Sequence, residues 1–387
     1  MENIPEVSVV LPCLNEEAAV SVCINKIKDV FSKEAINGEI IVVDNASTDR
    51  SRQIAEELGA RVAIETIRGY GSAYLKGLSE AKGKFIIIAD LDDSYDFYDI
   101  PKFLKLLRDG HDFVIGSRFK GKISKRAMSW SHRYVGNPIL SGVCRLFFHT
   151  RISDVHCGMR AFSIEAYKKM KLNSTGMEFA TEMVVSALQN NLKICEVPIN
   201  YNARIGKSKL SSFRDAWRHV RFMLLFCPDW LYFIPGAIGF LAGLIILFLQ
   251  LQGPFLFLGH KWDIHVMVLG SLTSLLSFQI INLGIYAKVF AVRERFVKND
   301  KFISYLLKKF KLEFGLVAGA IFLILGFTVN LLVFLEWWRS SFGPLHRIRE
   351  TIFAMTFMVL GIEIIFSSFF LSLLMINRNS CSGKNNN

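Results

Sequence analysis

Apolar and polar positions follow two different rhythms along this chain. Up to about residue 230, short β-branched runs alternate with stretches of helical spacing. Val7–Leu11, Glu39–Val43, Arg61–Glu65, Phe85–Ala89 and Phe113–Gly116 predict five strands, and Glu16–Phe31, Ser51–Leu58 and Ala73–Ala81 predict helices between them. This order predicts an α/β domain with a mostly parallel sheet covered on both faces. Ligands bind such sheets beyond the carboxyl ends of the strands. Polar clusters stand at those ends: Pro12-Cys13-Leu14-Asn15-Glu16, Asp44-Asn45-Ala46-Ser47-Thr48-Asp49, Arg68-Gly69-Tyr70-Gly71, Asp90-Leu91-Asp92-Asp93 and Gly116-Ser117-Arg118. Ser47 or Asp49 alone would pass as a helix cap. Five clusters at consecutive strand ends point to one site along one sheet edge.

Beyond residue 230 the alternation gives way to four long apolar runs, at about 231–251, 266–292, 315–338 and 351–376. Each is near or above the ~20 residues with which a helix crosses ~30 Å of hydrocarbon. None lies at the N-terminus, so no cleaved signal is expected, and the first domain is expected to stay cytoplasmic. The connector after the second run carries Lys288, Arg293, Arg295, Lys298, Lys301, Lys308, Lys309 and Lys311, whereas Gln252–His265 carries only Lys261. That asymmetry predicts four spans with both termini inside. Before the first span, residues 209–230 place Phe213, Trp217, Val220 and Leu224 on one helical stripe with cations between. This pattern predicts an amphipathic helix in the membrane plane; the alternative is a helix facing the core of the soluble domain. A second basic amphipathic helix is expected around Phe302–Phe310. Polar residues inside the spans are few: Gln279, Asn282, Asn330 and Glu363. Glu363 marks either a pathway or a helix–helix hydrogen bond.

Composition agrees. Of 387 residues, 51% are apolar, 33 are Phe, and the formal net charge is +12. Disordered, collagen-like and small disulfide-stapled chains are excluded. The seven cysteines form no metal-binding spacing and fit a reducing compartment. Excess cations gather beside the apolar runs, which favours a lipid surface over nucleic acid.

Asp90 and Asp92 are the sharpest chemical feature. Carboxylates two apart beyond a buried strand can share Mg²⁺ or Mn²⁺ with a substrate diphosphate. A calcium-loop pattern fails at Tyr95 and Pro101, and a phosphate-loop pattern fails at Tyr201. Gly69-Tyr70-Gly71 lacks the third glycine of a dinucleotide fingerprint, because Tyr74 stands there.

Taken in order, Pro12…Asn15-Glu16, Val42–Asp49, Asp90-x-Asp92 and Gly116-Ser117-Arg118 resemble family 2 glycosyltransferases of the GT-A fold. Asn137-Pro138, Asp154-x-x-Cys157-Gly158-Met159-Arg160, Gly176-Met177-Glu178-Phe179 and Arg204–Leu210 narrow the likeness to polyprenyl-phosphate glycosyltransferases, such as dolichyl-phosphate mannose and glucose synthases. The resemblance implies a GT-A domain at 1–208, an interfacial helix at 209–230, four spans within 231–376 and a cytoplasmic tail at 377–387. It implies that Pro12, Asn15, Glu16, Asp44, Asn45, Gly69, Gly71 and Asp90 line the nucleotide pocket. Asp90 and Asp92 would hold the metal. Asp92, Arg118 and Arg133 would be catalytic. Arg118, Arg133, Arg204 and Lys209 would meet the acceptor phosphate, and Glu178 and Glu182, spaced i,i+4, would orient sugar hydroxyls. Arg118 has a structural salt bridge as its alternative, and Arg160 a structural role.

The expected reaction is inverting transfer of one sugar from a nucleotide sugar to an undecaprenyl or dolichyl phosphate at the cytoplasmic membrane or endoplasmic reticulum. UDP-glucose is the first choice of donor; GDP-mannose or a UDP-N-acetylhexosamine comes next. The acceptor is already anionic, so no histidine base is required. A homo-oligomer is compatible with this. Two rivals were a processive polysaccharide synthase, which lacks its Gln-x-x-Arg-Trp string here, and a transporter with a nucleotide-sensing domain, for which the spans are too apolar.

Overall fold

The computed structural model describes residues 4–206, 212–293, 305 and 309–375. The chain divides into two compact units, one up to Leu224 and one from Leu225.

The first unit is built on a seven-stranded sheet of order β3-β2-β1-β4-β6-β5-β7. Its strands are β1 (Val7–Cys13), β2 (Gly38–Asp44), β3 (Arg61–Ile64), β4 (Phe85–Ile88), β5 (Phe113–Ile123), β6 (Arg160–Ser163) and β7 (Ile194–Tyr201). Only β6 runs against its neighbours β4 and β5; the remaining pairings are parallel. The central strands are covered on both faces, so they read as continuous Val/Ile runs: Val9, Val10, Ile41, Val42, Ile86 and Ile87 are fully buried. Helices α1 (Glu17–Lys33), α2 (Ser51–Glu57), α3 (Tyr70–Glu80), α4 (Ile100–Arg108), α5 (Asn137–Phe148), α6 (Ile164–Met170) and α7 (Phe179–Gln189) connect and cover them.

The five expected strands are present, and β5 continues seven residues past Gly116 to Ile123. Two strands went unforeseen. β6 is four residues long and opens on a buried arginine, and β7 contains Pro198. β7 is an edge strand, where a proline lacking its N–H is tolerated.

Helix α8 (Ser212–Phe226) replaces the expected 209–230 segment. One side packs on the first unit: Met223 is fully buried, Ala216 and Val220 rest on the core, and His219 is buried. Trp217, at 56% exposure, stays outside. The core-facing alternative raised by its sequence thus holds for one side of the helix. Lys209 and most of the expected helix around 302–310 lie outside the described residues.

The second unit contains α9 (Ile234–Leu251), α10 (Ile264–Arg293), α11 (Leu312–Arg339) and α12 (Ile348–Met375). With the turn that precedes α9, four segments are long and apolar enough to cross a membrane: Asp229–Leu251, Ile264–Val292, Leu312–Arg339 and Ile348–Met375. A small hairpin, β8 (Phe255–Phe257) and β9 (His260–Trp262), joins α9 to α10. Leu258 and Gly259 both take positive φ, 50° and 76°, as a two-residue hairpin turn demands. Helix pairs approach through small residues, as lipid-embedded helices do. Gly243 faces Gly270 and Ser274 between α9 and α10, and Gly319 faces Gly361 between α11 and α12. Ser271 and Thr356 hydroxyls lie 2.6 Å apart between α10 and α12, and Gln279 Nε2 donates to Glu363 Oε1 at 2.7 Å across the same pair.

A Cβ added at Gly319 would lie 2.7 Å from the Gly361 carbonyl oxygen. Gly319→Val therefore forces α11 and α12 apart, and it should lower stability by about 1–3 kcal/mol. A thermal melt of the detergent-solubilised chain measures this. Ile321→Val, on an outward side chain that is 59% exposed, should leave the midpoint nearly unchanged.

Candidate active site

Because six of seven strands run the same way, the polar clusters that follow them converge on one edge of the sheet. Asp90 and Asp92 sit at its centre, immediately after β4. Asp90 Oδ1 accepts hydrogen bonds from the hydroxyls of Tyr70 at 3.1 Å and Tyr74 at 3.3 Å. These tyrosines lie one turn apart on α3, so a single helix face presents both. Asp90 Oδ2 points toward Gly158, where a Cβ would sit 2.9 Å from it. The Gly158 N–H donates to Tyr95 Oη at 2.7 Å, which fixes that close approach. Asp92 is 8% exposed; its Oδ1 accepts from the Ser94 N–H and hydroxyl, and its Oδ2 faces Arg204 Nη1 at 3.4 Å. Arg204 Nη2 also reaches Glu16 Oε1 at 3.2 Å, while its Nε is buried with no hydrogen-bond partner.

Burial, reinforced by the neighbouring Asp92 charge, pushes the Asp90 carboxyl up from 3.8 to about 6, against the opposing pull of Tyr70, Tyr74 and Arg204. The Arg204 cation, at 3.4 Å from Asp92, thus offsets the pair's charge only in part. Asp90 Oδ2 accepts no hydrogen bond among the described residues. A hard divalent cation fits this donor set of carboxylate oxygens. No group of three His, Cys, Asp or Glu is gathered among the described residues. Its remaining ligands would be phosphate oxygens and water.

The first two loops are laced together. Asn15, at φ 51°, accepts from the Thr48 N–H at 2.7 Å, and its own N–H donates to Ser47 Oγ at 3.0 Å. The Glu16 N–H donates to Ser51 Oγ at 2.8 Å. Pro12 pairs with Val43 at the end of β1, and Asp44 is buried with Oδ1 accepting from the Ser47 N–H. Asn45 is bonded throughout its amide to backbone groups. Both hydrogens of its amide go to the Glu65 and Ile67 carbonyls, and its oxygen accepts from the Gly69 N–H, so it ties down the loop before α3. Gly69 and Gly71 likewise serve close packing: a Cβ on either would strike the backbone of Thr175 or Ser174. The Ser72 N–H bonds to the Thr175 carbonyl at the same place.

The expected cations separate into three kinds. Arg204 joins the acidic pair. Arg118 is turned inward: its Nε and Nη2 donate to Asp154 at 2.7 and 2.8 Å, and it lies over the Tyr201 ring. That is the salt-bridge alternative, with Asp154 fully buried, and it assigns Arg118 to positioning the Asp154–Gly158 loop behind Asp90. Arg133 lies over the Tyr134 ring in the turn before α5, and no hydrogen bond or ion pair joins it to the acidic pair among the described residues. Arg160 takes the structural role, donating to the carbonyls of Cys157, Ala180 and Val155. Glu178 and Glu182 stand i,i+4 at the start of α7, the Glu182 N–H donating to the Glu178 carbonyl at 2.8 Å. Glu178 precedes α7 and folds over Gly176, and Glu182 accepts from the backbone of Asn173 and Ser174. Glu182 thereby shapes the loop that lies on Gly69 and Gly71. Tyr70, Tyr74, Tyr95 and Asp154 carry no assigned role in the sequence pattern; the Gly-Tyr-Gly-x-x-Tyr spacing was the available signal for the first two.

Residues 8–171 match the glycosyl transferase family 2 description, and residues 285–375 match the C-terminal transmembrane region of the same family. The chain is 38% identical to the low-salt glycan biosynthesis hexosyltransferase Agl6 of Haloferax volcanii, over 96% of this chain and 89% of that protein. It is 30% identical to a dolichyl-phosphate hexose transferase of the same organism, over 54% of this chain and 88% of that protein. Among solved structures, glucosyl-3-phosphoglycerate synthase of Mycobacterium tuberculosis with Mn²⁺ and UDP aligns at a TM-score of 0.46 and 22% identity, covering 58% of this chain and 80% of that one. The chain belongs to glycosyltransferase family 2. It is a glycosyltransferase with a GT-A-like domain and an integral membrane half.

The folded Asp90 carboxyl keeps its proton up to about pH 6, whereas an unfolded one releases it near 4. The metal-free folded state therefore loses stability as pH rises through that window and stays penalised above it. Asp90→Asn should melt higher than the unsubstituted chain at pH 7.5, without added metal, and match it near pH 4. Equal differences at both pH values would contradict this. Asp154→Ala strands the Arg118 charge and should cost about 3–5 kcal/mol. The double change Arg118→Met with Asp154→Leu should recover much of that loss in the same melt.

Proposed function

We propose that this membrane glycosyltransferase moves one hexose from a nucleotide-diphosphate sugar to a polyprenyl phosphate at the bilayer surface, with inversion at the anomeric carbon. The observation that carries this is the Asp90–Asp92–Arg204–Glu16 constellation at the sheet edge of a chain whose second half consists of four span-length helices. The name of the dolichyl-phosphate hexose transferase relative supports the acceptor class.

Asp90 Oδ2 and Asp92 Oδ2 would hold Mg²⁺ or Mn²⁺, which when bound would offset charge on the departing diphosphate. Asp44, with Pro12 and Asn15 beside it, is placed to accept hydrogen bonds from a base or ribose. Arg204 has a planar fork suited to phosphate oxygens. With phosphates bound, it can exchange its long contact to Asp92 for them. Lys209, which follows on the same segment, is assigned to the acceptor phosphate. The acceptor oxygen is already anionic, so the protein's task is to hold it in line with the anomeric carbon. UDP-glucose is the preferred donor.

A patch around α5 supports a lipid-borne acceptor. Trp130, Tyr134, Ile139 and Leu146 are each more than half exposed, and Lys125, Arg126, Arg145 and Arg151 are exposed among them. Aromatic and aliphatic side chains interleaved with cations suit an anionic bilayer surface. Arg133 belongs to this patch and is the cation we assign to the incoming lipid phosphate there. The Lys/Arg excess between the second and third spans supports a catalytic domain and both termini on the cytoplasmic side.

Purified chain incubated with radiolabelled nucleotide sugars, Mg²⁺ or Mn²⁺, and undecaprenyl or dolichyl phosphate should move label into the lipid fraction, UDP-glucose being the strongest donor. Asp92→Ala should lower turnover by about 100-fold or more, and Arg204→Lys should retain more activity than Arg204→Ala. No transfer from any donor would overturn the proposal.

A further inference from the structure

The two central carboxylates are dressed alike: each has one oxygen held by two hydrogen-bond donors. Asp90 Oδ1 accepts from the Tyr70 and Tyr74 hydroxyls, and Asp92 Oδ1 from the Ser94 N–H at 3.0 Å and the Ser94 hydroxyl at 2.5 Å. A carboxylate oxygen offers two lone-pair directions, so these donors fill both Oδ1 atoms. The other oxygens differ. Asp90 Oδ2 accepts no hydrogen bond among the described residues, and Asp92 Oδ2 meets only the Arg204 fork there, at 3.4 Å. The donors are firmly seated. Tyr74 is fully buried with its ring stacked on Phe179 at 5.5 Å, and Tyr70 meets Tyr74 edge-on at 4.9 Å. Gly69 and Gly71, on either side of Tyr70, are pressed against the Thr175 and Ser174 backbone. Ser94 is buried, and its carbonyl accepts from the Asn202 N–H at 2.8 Å. None of the three hydroxyls can swing away without moving a packed segment.

We propose that Tyr70, Tyr74 and Ser94 are positioning residues that make each acid a one-oxygen ligand and so select a small octahedral cation, Mg²⁺ or Mn²⁺, against Ca²⁺. This rests on the reading of the acid pair as the cation site. Mg²⁺ demands near-octahedral geometry at about 2.1 Å, and single oxygens from two acids leave its remaining positions to phosphate oxygens and water. Ca²⁺ takes more oxygens at longer range, and carboxylates often serve it with both of theirs. Here the second oxygen of each acid is already spoken for. To chelate with it, Asp90 must release a tyrosine hydroxyl and Asp92 a Ser94 donor, and each released group is left buried without a partner. That cost falls on a cation that needs both oxygens and spares one that needs a single oxygen from each acid.

The test is competition for Mn²⁺ on the detergent-solubilised full chain with UDP present. Bound Mn²⁺ is read from the loss of the free-ion electron paramagnetic resonance signal, against a blank of UDP alone. Mg²⁺ and Ca²⁺ are titrated in, and the ratio of their competition constants is the readout. The double change Tyr70→Phe with Tyr74→Phe keeps both rings and removes both donors to Asp90, and it should move the ratio toward Ca²⁺ by about tenfold. Ser94→Ala leaves Asp92 Oδ1 its N–H donor and should move the ratio the same way by a smaller factor; it carries the test if the double variant does not fold. Tyr98→Phe, whose hydroxyl bonds Asp29 at the surface, should leave the ratio unchanged. A thermal melt checks that each variant is folded. Folded variants with an unchanged ratio would overturn this inference and leave the metal reading standing. No Mn²⁺ bound by the unsubstituted chain beyond the UDP blank would overturn both.

Discussion

Two carboxylates held two residues apart at the end of a fully buried strand impose a requirement on everything around them. Like charges in a poorly solvated place repel, and burial makes that repulsion larger. The chain meets this in part with groups drawn from distant segments. Tyr70 and Tyr74 come from α3, Arg204 from the segment after β7, and Gly158 from the loop before β6. The Asp90 carboxyl stays well above its ordinary range even so. Such a carboxylate pair would suit a hard divalent cation.

That arrangement depends on loops that do not move freely. Asn45 holds the loop before α3; Glu182 holds residues 173–174, whose neighbours press on Gly69 and Gly71; Asp154, through Arg118, holds the loop that carries Gly158. Asn45 and Glu182 thus bond backbone groups, and Asp154 pairs with the Arg118 guanidinium. Buried N–H and C=O groups must find partners, and at a crowded strand edge the short polar side chains are the ones available. The same logic explains Arg160, whose guanidinium supplies three carbonyls in a place without regular pairing.

The sheet was legible in sequence where burial on both faces produced unbroken Val/Ile runs, as in β1, β2 and β4. It was not legible where local pattern and long-range pairing disagreed. β6 reads as polar because Arg160 opens it, yet it pairs with β4 and β5 on either side. β7 contains a proline and alternates, as an edge strand does. At the site, Asp90 and Asp92 were legible because acids beyond an apolar strand are conspicuous. The fate of Arg118 was not, since its partner Asp154 stands 36 residues away and nothing local signals it. Arg204 was found by resemblance, and only the fold shows that it reaches both Asp92 and Glu16.

Helix α8 reaches the sheet edge through a histidine. His219 on this helix lies 2.8 Å from the Thr181 hydroxyl, and its ring meets that of His156 edge-on at 4.4 Å. His156 sits two residues before Gly158, the residue packed against Asp90. Burial, followed by the neighbouring His219, Arg160 and Arg118, holds the His156 ring well below its ordinary range, so it is neutral and rigidly packed rather than a proton carrier. A helix with an exposed Trp217 on one side and this histidine contact on the other thus couples its own placement to the geometry of the loop that carries Gly158 beside Asp90.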